Sequence, residues 1–105
     1  MFFLIMMLVV LLSGCVEQPN KDAAQDSESA KNACINKCQD ALAAGQDLNN
    51  GPCLSNEIAK DWVCDVAHSP RQAVDNNPAN QCPAYGINAT HFVEVTPSCE
   101  YMRSV

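Results

Sequence analysis

Between residues 31 and 44 the apolar positions Cys34, Ile35, Cys38, Ala41 and Leu42 recur at helical spacing, while Lys31, Asn32, Lys37 and Asp40 fall largely elsewhere. This period predicts an amphipathic helix over 31–44, with Ser29 as its N-cap and Gly45 as its stop. Asn49-Asn50-Gly51-Pro52 predicts a turn. The stretch 61–68 fits two periods. As a strand it places Trp62, Cys64 and Val66 on one face and Asp61, Val63 and Asp65 on the other. As a helix running from Ser55 it groups Ile58, Ala59, Trp62, Val63, Val66 and Ala67. The strand over 62–67 is favoured because Trp, Val and Cys pack well on a pleated surface.

Residues 69–83 contain Pro70, Pro78 and Pro83 with Asn76, Asn77 and Asn80. They predict a long loop, a type that is uncommon unless it is tied down, and Cys82 is the tie. Residues 90–96 alternate cleanly, with His91, Val93 and Val95 on one face and Phe92, Glu94 and Thr96 on the other, and Pro97 ends the run. Together these elements predict an α+β fold: a small disulfide-stapled domain with one N-terminal helix packed on a small antiparallel sheet.

The chain opens on a different pattern. Phe2–Leu12 is an unbroken apolar run, and Glu17 closes the apolar region soon after it. A membrane-spanning helix needs about 20 apolar residues, so this run reads as the h-region of a signal peptide. Leu12-Ser13-Gly14-Cys15 follows it and resembles the lipobox of prokaryotic lipoprotein signal peptides. The resemblance covers residues 1–15, and one feature departs from the usual pattern: no Lys or Arg precedes Cys15. It implies cleavage before Cys15, a diacylglyceryl group on that sulfur, and a mature chain held on the extracytoplasmic face of a membrane. The chain then divides into a signal peptide at 1–14, a lipid-anchored tether at 15–30 and a disulfide-rich globular domain at 31–105. The tether reading rests on Glu17, Lys21, Asp22, Asp26 and Glu28, which leave too little apolar surface in that stretch to bury.

Cysteine arithmetic points the same way. The chain has 7 cysteines. Setting Cys15 aside leaves Cys34, Cys38, Cys53, Cys64, Cys82 and Cys99, an even set that reads as a disulfide framework in a short exported domain. Cys34 and Cys38 lie one helical turn apart and point the same way, so each is expected to bridge elsewhere. The expected pairing joins both of them to Cys53 and Cys64 and leaves Cys82 with Cys99. The formal net charge is −6. That balance excludes nucleic acid as a partner.

Few residues carry a chemical signal. His68 and His91 are the only histidines, with Asp61, Asp65, Asp75 and Glu94 near them in sequence. Two histidines and a carboxylate suit zinc or acid–base chemistry, but their spacing matches no metal motif. If the strands at 62–67 and 91–95 pair antiparallel, His68 and His91 meet. Tyr85, between Pro83 and Gly86, is the best aromatic candidate for an exposed contact, whereas Trp62 and Phe92 suit the core. Asn88-Ala89-Thr90 has the form of an N-glycosylation acceptor. No Gly-x-Ser-x-Gly and no phosphate-cradling glycine loop occurs.

The leading expectation is a membrane-anchored binding or structural module without catalytic residues, cofactor or metal. Its partners are the membrane, through the lipid on Cys15, and a protein or envelope ligand. Two alternatives stand beside it. One is a small metal-dependent or acid–base enzyme using His68 and His91. The other is a thiol oxidoreductase using Cys34 and Cys38.

Overall fold

The computed structural model describes the backbone of residues 19–105 and the side chains of 25–105. The apolar run and Cys15 lie outside the described residues. Helix α1 spans Pro19–Ala43, and strands β1 (Cys53–Ala59), β2 (Trp62–Val66), β3 (His91–Val95) and β4 (Tyr101–Ser104) form one sheet in the order β1-β2-β3-β4. The α+β expectation of one helix on a small, disulfide-stapled sheet is met.

Helix α1 begins well before the expected Lys31, so the segment expected to be a tether is helical from Pro19 onward. Proline suits a first helical position because its missing N–H has no intrahelical partner there. Ala30, Cys34 and Cys38 are fully buried, one turn apart, and Ile35 and Ala41 pack beside them. Leu42, expected in that stripe, is exposed instead. The helix stops as Gly45 predicts. Gly45 takes a positive φ of 84°, its N–H donates to Leu42, and the N–H of Gln46 donates to Ala41. This double closure satisfies the last carbonyls of the helix, and glycine adopts the left-handed turn without a Cβ clash.

The sheet is mixed, not antiparallel. β1 and β2 form an antiparallel hairpin through Lys60 and Asp61, and β3 and β4 form another through 96–100. The central pair β2 and β3 is parallel, in register from Trp62↔His91 to Val66↔Val95. Parallel neighbours need a long crossover. Residues 67–90 supply it without a helix, using two short 3-10 turns at Ala73–Asn76 and Pro78–Asn80. The expected long loop is therefore the crossover, and its length carries the chain back to restart beside Trp62.

The pleat of β2 and β3 creates two faces. Trp62, Cys64, Val66, Val93 and Val95 face α1 and form the main core. Val63 and Phe92 point the other way, where Cys82, Ala84 and Ala89 of the crossover cover them. Three disulfides tie these layers together: Cys34–Cys64, Cys38–Cys99 and Cys53–Cys82. Cys34 and Cys38 do not bond each other, as expected. Cys34 pairs with Cys64, one of the two partners expected for the helix cysteines. The other two expected links fail: Cys38 reaches the β3–β4 turn and Cys82 reaches β1. The parallel central pair explains this, because it places Cys82 on the face away from the helix and Cys99 on the helix side.

Candidate ligand-binding cleft on the outer face

The alternation that turns Val93 and Val95 inward turns Glu94 outward, and the same holds for Asp65 between Cys64 and Val66. Parallel register sets Asp65 beside Glu94, and antiparallel register sets Glu94 beside Arg103 of β4. Glu94 is nearly fully buried on this face. Arg103 donates from Nε to its Oε1 at 2.6 Å, and Arg71 of the crossover donates from Nη1 to its Oε2 at 3.0 Å. Burying a carboxylate requires such pairing. Arg71 is itself held in place, since its Nε donates to Asn76 Oδ1 at 2.8 Å and its Nη2 to the Asp75 carbonyl at 3.3 Å. Arg71 and Arg103 are the only arginines of the chain, and both converge on one carboxylate.

Asp65 has no such partner. Its Oδ1 is buried and accepts no hydrogen bond. Burial, and then the neighbouring Glu94 charge, push its carboxyl from 3.8 up to about 7. An orphaned buried acceptor is costly, and perturbed carboxyls gather at functional sites. Asp65 lines an open cleft of about 220 Å³ with Val63, Arg71, Gln81, Cys82, Tyr85, Phe92, Glu94 and Arg103. Tyr85 meets Phe92 edge-on at 5.1 Å, and the Arg103 guanidinium lies 5.2 Å from the Phe92 ring centre. Tyr85, the expected aromatic contact, is 44% exposed at this rim.

The crossover wall owes its shape to Asp75, which is almost fully buried. Its Oδ2 accepts from the backbone N–H of His68 at 2.9 Å and of Gln72 at 2.8 Å, and its Oδ1 meets His68 Nδ1 at 2.9 Å. Burial pushes this carboxyl up, but the bonds from Gln72 and His68 outweigh burial and hold it below its ordinary value. Gly51 makes this packing possible. Its φ is +66°, and a Cβ there would stand 2.6 Å from Asp75 Oδ1 and 3.1 Å from the Val66 carbonyl. Gly51→Ala is therefore expected to cost about 1–2 kcal/mol, from the left-handed backbone together with the clash. Urea unfolding of the oxidised protein checks this, and an unchanged midpoint would contradict the packing described.

The two histidines stand at opposite ends of the parallel pair. His68 follows the end of β2, whereas His91 opens β3 beside Trp62. His91 stacks on Trp62 with ring centroids 4.5 Å apart, meets Asp61 Oδ2 at 3.6 Å from Nε2 and contacts the Val105 carbonyl at 3.2 Å from Nδ1. Hydrogen bonds from the Thr90 hydroxyl and then the Thr90 N–H hold Asp61 below its ordinary value. The antiparallel geometry that would have joined His68 to His91 is thus replaced by one that separates them. Among the described residues, no group of three or more His, Cys, Asp or Glu is placed to hold a metal ion. Cys34 and Cys38 sit in separate, buried bridges rather than forming a dithiol. Asn88 is exposed in the turn that follows Tyr85.

Of the residues singled out from sequence, Tyr85 and Glu94 meet at the cleft and His68 braces its wall. Arg71, Gln81 and Arg103 were missed, and Asp65 was noted only as a neighbour of the histidines. One signal was available: a charged residue in the middle of a valine-rich strand, as in Cys64-Asp65-Val66 and Val93-Glu94-Val95. No family model matches the chain, and no curated protein or solved structure is similar to it.

Proposed function

We propose that the protein is a small binding module, lipid-anchored through Cys15 on the extracytoplasmic face of a membrane, and that the cleft at Asp65 receives its ligand. The observation that carries the binding reading is the buried, unpartnered Asp65 Oδ1 in an open cleft whose charged neighbours are already paired. The Asp65 side chain is only partly buried and lines the cleft, so the part of its carboxyl that faces the opening can accept a bond from a ligand. The cleft wall stands on rigid supports, because the Cys53–Cys82 bridge and Asp75 both fix the crossover.

Three disulfides in a domain of this size indicate an oxidising compartment outside the cytoplasm. Among the described residues, no helix is long and apolar enough to cross a membrane. The reading of a lipid attachment is supported by Leu12-Ser13-Gly14-Cys15 after the apolar run Phe2–Leu12. The six cysteines of the domain pair among themselves, so none of them is a partner for Cys15.

Two experiments test the two halves of this proposal. Mass spectrometry of the membrane fraction should find an N-terminus at Cys15 with added acyl mass, and Cys15→Ser should abolish both processing and lipidation. An intact Met1 with a bare thiol would end the anchor reading. An NMR fragment screen of the full chain in nanodiscs should produce shifts clustered at Asp65, Phe92 and Arg103. Shifts confined to other surfaces would end the cleft reading.

A further inference from the structure

We infer that the cleft takes one ring of a neutral saccharide, with Asp65 accepting a ring hydroxyl and Tyr85 and Phe92 forming the apolar wall. This inference rests on the binding reading above and adds the ligand's chemical class.

Charge is the first constraint. Arg71 and Arg103 oppose Glu94 and Asp65, so the four groups sum to zero above about pH 7, where Asp65 is ionised. A cationic ligand meets two guanidinium groups, and an anionic ligand meets two carboxyls, one of them buried. Neither gains a net opposite charge. A neutral group avoids both penalties if it brings hydrogen bonds of its own.

The second constraint is the kind of bond on offer. Asp65 is only partly buried and lines the cleft, where its carboxyl can accept. Arg103 commits only Nε to Glu94 and is 56% exposed, so its Nη groups are free to donate. Gln81 adds a side-chain amide at the rim, with its carbonyl oxygen free to accept. A hydroxyl both donates and accepts, and so suits this mixture of partners. Charge-assisted bonds to Asp65 and Arg103 are the stronger kind.

Shape is the third. A volume of about 220 Å³ lies below the roughly 300–1,000 Å³ of sites that enclose drug-sized ligands. It suits a single ring with the remainder of the ligand in solvent. Phe92 and the exposed Tyr85 present apolar ring surface beside the polar groups, which matches a sugar ring with C–H groups on one face and hydroxyls at its edge. A peptide is the weaker fit. The cleft opens on a sheet face rather than a sheet edge, so an extended peptide gains no strand pairing there.

The test is calorimetric and NMR titration of the full chain in nanodiscs. The probes are neutral trisaccharides built from glucose, galactose, mannose and N-acetylglucosamine, with putrescine, acetate and N-acetyl-alanyl-alanine amide alongside. At least one trisaccharide should bind saturably and shift Asp65, Tyr85 and Arg103. Tyr85→Ala and Asp65→Ala should each weaken it by about tenfold or more. Peptide mapping without reduction confirms that both variants keep three disulfides, and Tyr85→Ala, at an exposed position, is the variant least able to disturb folding. Binding at the cleft by putrescine, acetate or the capped peptide alone would overturn the saccharide class and leave the cleft reading standing. Silence of the cleft toward every probe and every fragment would overturn both. Saccharide binding unchanged in the two variants would place the sugar elsewhere and overturn the inference.

Discussion

Replacing Cys38 and Cys99 together by alanine is expected to destabilise the oxidised protein by about 4 kcal/mol, the largest loss from any single bridge. The bridge spans 61 positions of sequence, against 30 for Cys34–Cys64 and 29 for Cys53–Cys82. Cross-linking restricts the unfolded chain more as the closed loop lengthens, although only logarithmically, so the other two bridges follow within about 1 kcal/mol. The core offers little reserve. Its largest fully buried side chains are valines and half-cystines. Small domains commonly have only about 5–15 kcal/mol of stability in total. The double variant avoids a free thiol that would exchange with the remaining bridges. Urea unfolding without reductant measures the change, and a loss below about 1 kcal/mol would show that the helix and sheet hold together without this staple.

The helix and β3 were legible because their periods are clean, whereas β2 fits a helical and a strand period alike and was read as a strand from the packing of Trp, Val and Cys. Cys34, Ile35 and Cys38 repeat at helical spacing, and Val93 and Val95 alternate with Phe92 and Glu94. β1 was not legible. Its sequence Cys-Leu-Ser-Asn-Glu-Ile-Ala is an edge strand with two register shifts and partial exposure, so no alternation survives in it. β4 spans only Tyr101–Ser104, too few residues to establish a period. The helix start was misplaced because Asp22, Asp26 and Glu28 suggest a solvated tether, whereas an exposed helix carries the same composition.

Strand direction was the deeper loss. Whether β2 and β3 run parallel depends on where residues 67–90 cross the sheet, and local pattern does not encode that path. The error spread from there. An antiparallel pair would have joined His68 to His91. In the parallel pair, Asp65 and Glu94 become neighbours and the two arginines close on them. Arg71 and Arg103 lie far apart in sequence, and nothing in their surroundings signals a shared partner. What could have been read is the oddity of a carboxylate at the centre of each valine-rich strand. Burial there is unfavourable unless the fold supplies a partner or a ligand does.

Asp65→Asn is expected to stabilise the protein by about 2–3 kcal/mol near pH 8 and to change little below about pH 4. Burial and the Glu94 charge raise the Asp65 carboxyl from 3.8 to about 7 in the folded protein. Between those values the folded state holds a proton that the unfolded state has lost. Stability therefore falls as pH rises across this window, and the loss is complete above about pH 7. The full rise corresponds to about 4 kcal/mol, and partial exposure of the side chain reduces the expected effect to about 2–3 kcal/mol. Asparagine keeps the shape of the protonated acid and has no charge to bury, so the variant loses this slope. Asp75 works in the opposite direction. Its folded carboxyl is held below the ordinary value, so its contribution is present above about pH 4 and disappears in stronger acid, outside the Asp65 window. Urea unfolding of both proteins near pH 5 and pH 8 separates the two effects. An Asn variant no more stable than the native chain at the higher pH would mean that Arg71 or bound water already satisfies Asp65. A clear gain would mean that the native carboxyl lowers stability at neutral pH, the pattern expected where a side chain is retained for binding rather than for folding.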